Sequence, residues 1–90
     1  MRQLTDVEYD ILNVLYFVEP FDKILEEVTN IPENIVRDGL RFLIGHKMVA
    51  PMKWDAKKKD YVRSNIYDAD DMRAYRYLIT REGLVAHNTR

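Results

Sequence analysis

Cysteine is absent from the chain. That excludes a disulfide framework, a thiolate metal site and a cysteine nucleophile, and leaves packing alone to hold the fold. Glycine is scarce, with only Gly39, Gly45 and Gly83 and none of them adjacent, so there is no glycine-rich loop to cradle a phosphate. His46 and His87 are the only histidines, and neither stands at helical spacing from a second ligand type, which argues against a zinc pair and a histidine general base. No apolar run approaches the roughly 18–20 residues of a membrane span; the richest, residues 11–18, is broken by Asn13. The first residues also lack the basic-then-apolar layout of a secretory leader, and a cytoplasmic protein is expected. An excess of one charge is missing as well. Fourteen Lys and Arg face fifteen Asp and Glu, for a formal charge of −1, so nothing draws the whole chain toward nucleic acid or an anionic membrane, and any such binding must be local.

What is present is ordinary globular material. Ninety residues, 47% hydrophobic and 32% charged, are expected to form a single domain spanning 1–90, with no room for a second core. No linker, internal repeat or low-complexity segment divides the chain. The charges are split unevenly: residues 1–46 carry four basic and nine acidic side chains, residues 47–90 ten and six. The protein is therefore electrically lopsided.

Thr5 followed three residues later by Glu8 is a capping box, with Leu4 and Tyr9 at the spacing of a hydrophobic staple. It predicts a first helix from about residue 6 to Val18. Val7, Ile11, Val14, Leu15 and Val18 share one face, and Tyr9, Leu12 and Tyr16 widen the apolar arc enough to offer those three to a homodimer contact. Pro20 ends the helix, and Asp22 is expected to cap a short second one with Ile24, Leu25 and Val28 turned inward. Pro32 suits the first turn of a third helix running to about Gly45, with Asn30 or the residue before Glu33 as cap. Its wheel puts Ile35, Val36, Gly39, Leu40, Phe42, Leu43 and Ile44 on one arc, leaving Asn34, Arg37, Asp38 and Arg41 opposite.

From Met48 the texture turns β-like. Residues 48–54 read as a strand that Pro51 consigns to a sheet edge or a bulge. Residues 55–59 form a turn, 61–67 a second strand, 68–71 an acidic turn and 75–79 a third strand, after which Thr80 caps a closing helix through about His87. Asp68, Asp70 and Asp71 lack the glycine and distal glutamate of a calcium loop, so they read as a turn and not a cation site. The expectation is a non-enzyme without metal, cofactor or small-molecule ligand.

Two groups of residues carry chemistry. On the third helix, Arg presents a planar fork that matches guanine acceptors, and Asn pairs bidentately with adenine. On the hairpin, Lys53, Lys57, Lys58, Lys59 and Arg63 are placed to neutralise phosphates. Each has a plainer reading: Arg37 and Arg41 as part of a charge-paired helix face with Glu33 and Asp38, and the lysine tip as a device against edge pairing. Trp54, Tyr61, Tyr67, Tyr75 and Tyr77 interleave with the basic hairpin. Exposed, such rings stack on unpaired bases; packed as cross-strand pairs, which is commoner, they supply core area.

The order of helix, short helix, tight break, helix, hairpin and closing segment resembles the winged helix-turn-helix family. Ile31-Pro32-Glu33-Asn34-Ile35-Val36-Arg37-Asp38-Gly39-Leu40-Arg41-Phe42-Leu43 is similar to its turn and recognition helix, His46-Lys47-Met48-Val49 to the exit into the first wing strand, and Tyr77-Leu78-Ile79-Thr80-Arg81-Glu82-Gly83 to the strand returning from the wing. The resemblance implies an α+β fold of three core helices with a small antiparallel sheet as wing and a short C-terminal helix. It further implies a prokaryotic-type transcription regulator on double-stranded DNA, its third helix in the major groove with Asn34, Arg37, Asp38 and Arg41 facing bases and phosphates. The segment between Trp54 and Tyr75 is longer than a minimal wing. The same scaffold without DNA binding, docking a protein through its acidic first helices or its aromatic sheet, is the alternative.

Overall fold

The computed structural model describes residues 3–89. The Thr5 capping box forms in full: the Glu8 amide donates to Thr5 Oγ1 at 3.2 Å and the Thr5 amide to Glu8 Oε1 at 3.0 Å. It opens α1, Asp6–Val14. The helix stops four residues short of the predicted Val18 because the Leu15 carbonyl accepts the Ile79 amide at 2.8 Å, diverting the chain into the sheet. There it forms a two-residue strand, β1, Glu19–Pro20, which the sequence did not reveal. Helix α2, Phe21–Glu27, follows at once with Pro20 at its N-cap position. Asp22 therefore lies in the first turn and does not cap. Helix α3, Glu33–Gly45, has Pro32, the residue before Glu33, at its N-cap with no side-chain cap bond, so of the two expected positions Asn30 is not used.

The β region begins with β2, Val49–Asp55, and β3, Asp60–Arg63. Residues 64–75 then leave the sheet and make one 3-10 turn at Met72–Ala74, so the predicted second strand ends at Arg63 instead of Tyr67. The chain returns as β4, Arg76–Ile79, and closes in α4, Arg81–Asn88, capped by Thr80. Among the described residues the fold is thus α+β, four α-helices and a four-stranded antiparallel sheet of order β1-β4-β2-β3. β2 lies inside the sheet, not at its edge. Pro51 is tolerated because its carbonyl points to the β3 side, where it accepts the Ser64 amide just past the end of β3. Its missing N–H lies on that same side, beyond the ladder.

One face of the sheet meets the helices. Val49 lies opposite Ile79 and Pro51 opposite Tyr77, and Val49, Ile79 and Tyr77 pack with Ile11, Leu12, Leu15, Phe21, Ile24, Val36, Leu40 and Leu43 in a single buried cluster. The wide apolar arc of α1 is covered from two sides by the chain itself. Gly39 lets α3 approach Ile11 closely; on the other flank the Tyr9 ring stacks on His87 of α4 with centroids 4.3 Å apart. Leu12, offered to a dimer contact, is fully buried in this core (0% exposed), so it cannot line an interface. Tyr16 is exposed, but its hydroxyl is bound to His87 Nδ1 at 2.9 Å. Among the described residues no helix is long and apolar enough to cross a membrane.

Candidate nucleic-acid interface

The α3 stripe does not project as one unit. Asn34, Asp38 and Arg41 are exposed. Arg37 is turned aside: its Nε donates to Glu33 Oε2 at 2.9 Å, and its guanidinium lies 5.1 Å over the Phe21 ring. Arg41 is held by Asp38 at 3.4 Å and approached by Asp70 at 3.8 Å. Arg73, in the 3-10 turn, donates to Asp22 at 2.8 Å and to Glu33 at 3.3 Å, with its guanidinium also over Phe21. Four carboxylates therefore meet three guanidiniums along this flank of α3. Arg37 and then Arg73, by hydrogen bonding to the Glu33 carboxylate, hold it below the usual carboxylate range.

The segment 64–75 comes to lie along that flank because three tyrosines pin it. Tyr77, fully buried on β4, donates its hydroxyl to the Met72 carbonyl at 2.7 Å. Tyr67 lies 3.2 Å from the Tyr77 hydroxyl, and Tyr75 Oη accepts the Asp68 amide at 2.9 Å. Burial pushes the phenols of Tyr67 and Tyr77 upward, so both stay protonated and available as donors. These three rings pack, as cross-strand aromatics commonly do. In the acidic turn, Asp68 Oδ1 accepts the Asp70 amide. Among the described residues no three acidic or histidine side chains converge on a position that could hold a metal ion.

The hairpin behaves differently. Asp55 accepts the amides of Lys57 and Lys58 at 2.9 and 3.2 Å, which folds the tip and leaves Lys57, Lys58 and Lys59 exposed. None of these lysines, nor Lys53, Arg63 or Arg76, forms an ion pair among the described residues. The register divides the remaining cations between faces. Lys53 alternates with the outward residues of β2 and lies 4.8 Å over the Tyr75 ring. Arg63 pairs with Met52 on the face away from the helices, beside Trp54, Tyr61 and Arg76. Trp54 and Tyr61 meet edge to face at 5.2 Å, and the Arg76 guanidinium lies 5.0 Å over Tyr61.

Of the predicted residues, the structure gathers Lys53, Lys57, Lys58, Lys59 and Arg63 on one hairpin, keeps Asn34, Asp38 and Arg41 together on α3, and withdraws Arg37. Sequence reasoning missed Arg76 and Arg73. Arg76 stands between Tyr75 and Tyr77, and alternation alone puts it opposite the buried Tyr77. Only the pairing of Arg76 with Met52 brings it beside Trp54 and Tyr61. No protein-family model, curated protein or solved structure matches the chain.

Proposed function

We propose that the chain is a winged-helix type of double-stranded DNA-binding domain, of the kind that serves transcription regulation, whose principal hold on the duplex is the β2–β3 hairpin. The observation that carries this reading is the division of charge. The hairpin and sheet cations stand without ion pairs, whereas each Arg around α3 is matched by a carboxylate of the chain itself. Cations free of partners release condensed counterions from the backbone at full effect; those already paired beside carboxylates do so less. Lys57, Lys58 and Lys59 at the tip grip phosphates. Asn34 and Arg41 contribute the base contacts that α3 can reach, and Arg37 serves as a brace.

Fluorescence anisotropy with mixed-sequence duplex at low salt tests this. Log affinity is expected to fall linearly with log salt at a slope of about −3.5 to −5.5, for roughly four to six neutralised phosphates. The variant K57A/K58A/K59A should weaken binding to every sequence and flatten the slope by about one per lysine, while R41A should relax sequence preference. Triple-variant affinity equal to the parent's overturns the reading. Should the parent bind no duplex at all, the other use of the scaffold stands in its place, docking of a protein partner through the acidic first helices or the aromatic sheet.

A further inference from the structure

Trp54 is the only tryptophan of the chain, and 57% of it is exposed. An indole is among the side chains with most to gain from burial, yet this one stands on the sheet face that no helix covers. Its surroundings are specific. Tyr61 sits directly across the β2–β3 ladder at a steep 68° angle, so the two rings do not close upon each other. Arg76 reaches Tyr61 from β4, and Lys53 lies over Tyr75 on the other flank. Between them, where β2 runs past the start of β4 at Arg76, opens a cleft of about 280 Å³ whose lining includes Trp54, Tyr61, Tyr75, Lys53, Arg73 and Arg76 and contains no carboxylate.

The chemistry of that lining selects its occupant. Flat rings call for a planar π face, and Arg76 and Lys53, which have no carboxylate partner, call for an anion attached to it, whereas Arg73 in the same lining is already held by Asp22 and Glu33. A neutral aromatic would leave the cations unused, and an acidic peptide would leave the rings unused. The volume lies at the lower limit of small-molecule sites, so one ring system fits and an extended ligand does not. A base inside a duplex has both faces covered by its neighbours, whereas an unpaired base with its phosphate offers what the cleft asks for.

We propose that this cleft at the edge of β2 binds an unpaired base of single-stranded nucleic acid, with Trp54 as the stacking surface and Arg76 and Lys53, one from each face of the strand, directed to the phosphate. The site is distinct from the lysine tip and goes beyond the duplex reading.

Since Trp54 is the sole indole, its emission reports occupancy directly. Titrating the whole chain with a twelve-nucleotide oligothymidylate at low salt should quench that emission to saturation. By anisotropy of the labelled strand, W54A should lower affinity about 5- to 150-fold, the loss of one base stack. W54F should keep most of it, and R76A should lower it several-fold. K57A/K58A/K59A should cost the single strand less than W54A does. Circular dichroism establishes that W54A folds; if it does not, W54F against R76A decides the matter. Absence of quenching, a W54A or R76A affinity equal to the parent's, or thymidine 5′-monophosphate binding as tightly as the strand each overturns the proposal, the last by making the cleft a free-nucleotide site. Duplex binding with no quenching by the strand removes this inference alone. Strand binding abolished by W54A in a chain that ignores duplex removes the other alone.

Discussion

Arg41 on α3 and Asp70 in the acidic turn approach to 3.8 Å, an ion pair between helix and excursion in which Asp70 is 95% exposed. Pairs this exposed contribute between nothing and about 1 kcal/mol to stability, so D70N should leave the melting temperature nearly unchanged. Its effect on binding is larger, because the carboxylate stands where α3 would approach phosphates. Removing one like charge at contact distance changes the interaction by about 1 kcal/mol in water, and duplex affinity should rise up to about fivefold at low salt. The gain should fade as screening shortens below about 8 Å. An anisotropy titration in which D70N binds no better than the parent places α3 away from the DNA.

Lys47 follows the C-cap of α3 with φ 61°, a left-handed conformation that side chains with a Cβ rarely adopt. The two hydrogen bonds of a Schellman motif hold it there: Met48 N–H to the Leu43 carbonyl at 2.8 Å and Lys47 N–H to the Ile44 carbonyl at 3.0 Å. K47G should therefore stabilise the fold by about 1 kcal/mol, which in a domain of this size raises Tm by roughly 4–8 °C. A scanning calorimetry trace with Tm unchanged or lower means that the Lys47 side chain itself supports the turn.

Local signals in the sequence were sufficient for whatever local physics decides. The Thr5 and Glu8 capping box, Thr80 as N-cap and the apolar wheel of α3 each depend on residues within four positions of one another. The structure departs where partners are distant in the chain. The end of α1 is set by the Leu15 carbonyl meeting Ile79, β1 exists only because β4 pairs with Glu19 and Pro20, and β3 stops at Arg63 because the next residues are drawn to Tyr75 and Tyr77. The candidate site divides the same way. Lysines at the tip were legible as a run, whereas the meeting of Trp54, Tyr61 and Arg76 required two strand registers. The withdrawal of Arg37 required Phe21 beneath its guanidinium.

Glu33 joins Arg37 and Arg73 at the start of α3, and both guanidiniums lower its pKa from the ordinary 4.5. A carboxylate titrating lower in the folded chain contributes stability that is present in full above that ordinary value and is lost as pH falls through the folded one. The Tm difference between the parent and E33Q should thus be constant at pH values above that ordinary value and shrink as pH falls below it. Thermal melts across that range check it. A difference that persists unchanged in acid means that the hydrogen-bond geometry, not the charge, is what Glu33 supplies.

Gly83 and Gly45 offer opposite outcomes for one chemical change. Gly45 is the last residue of α3, and a Cβ there would meet nothing within 4 Å; G45A should gain helix propensity of about 0.5–1 kcal/mol. Gly83 sits in the first turn of α4, its amide bound to Thr80 Oγ1 at 3.1 Å. A Cβ at Gly83 would fall on the Met48 carbonyl oxygen, the acceptor of the Thr80 amide. Alanine must then push α4 off β2, straining the bonds of Thr80 to both Lys47 and Met48 and the seat of His87 against Tyr9, Tyr16 and Asn13. Overpacking of this kind costs about 1–3 kcal/mol, so G83A should melt roughly 5–15 °C below the parent while G45A melts above it. If the two variants shift Tm in the same direction, the close seat of α4 on the Met48 carbonyl is not what fixes that helix in place.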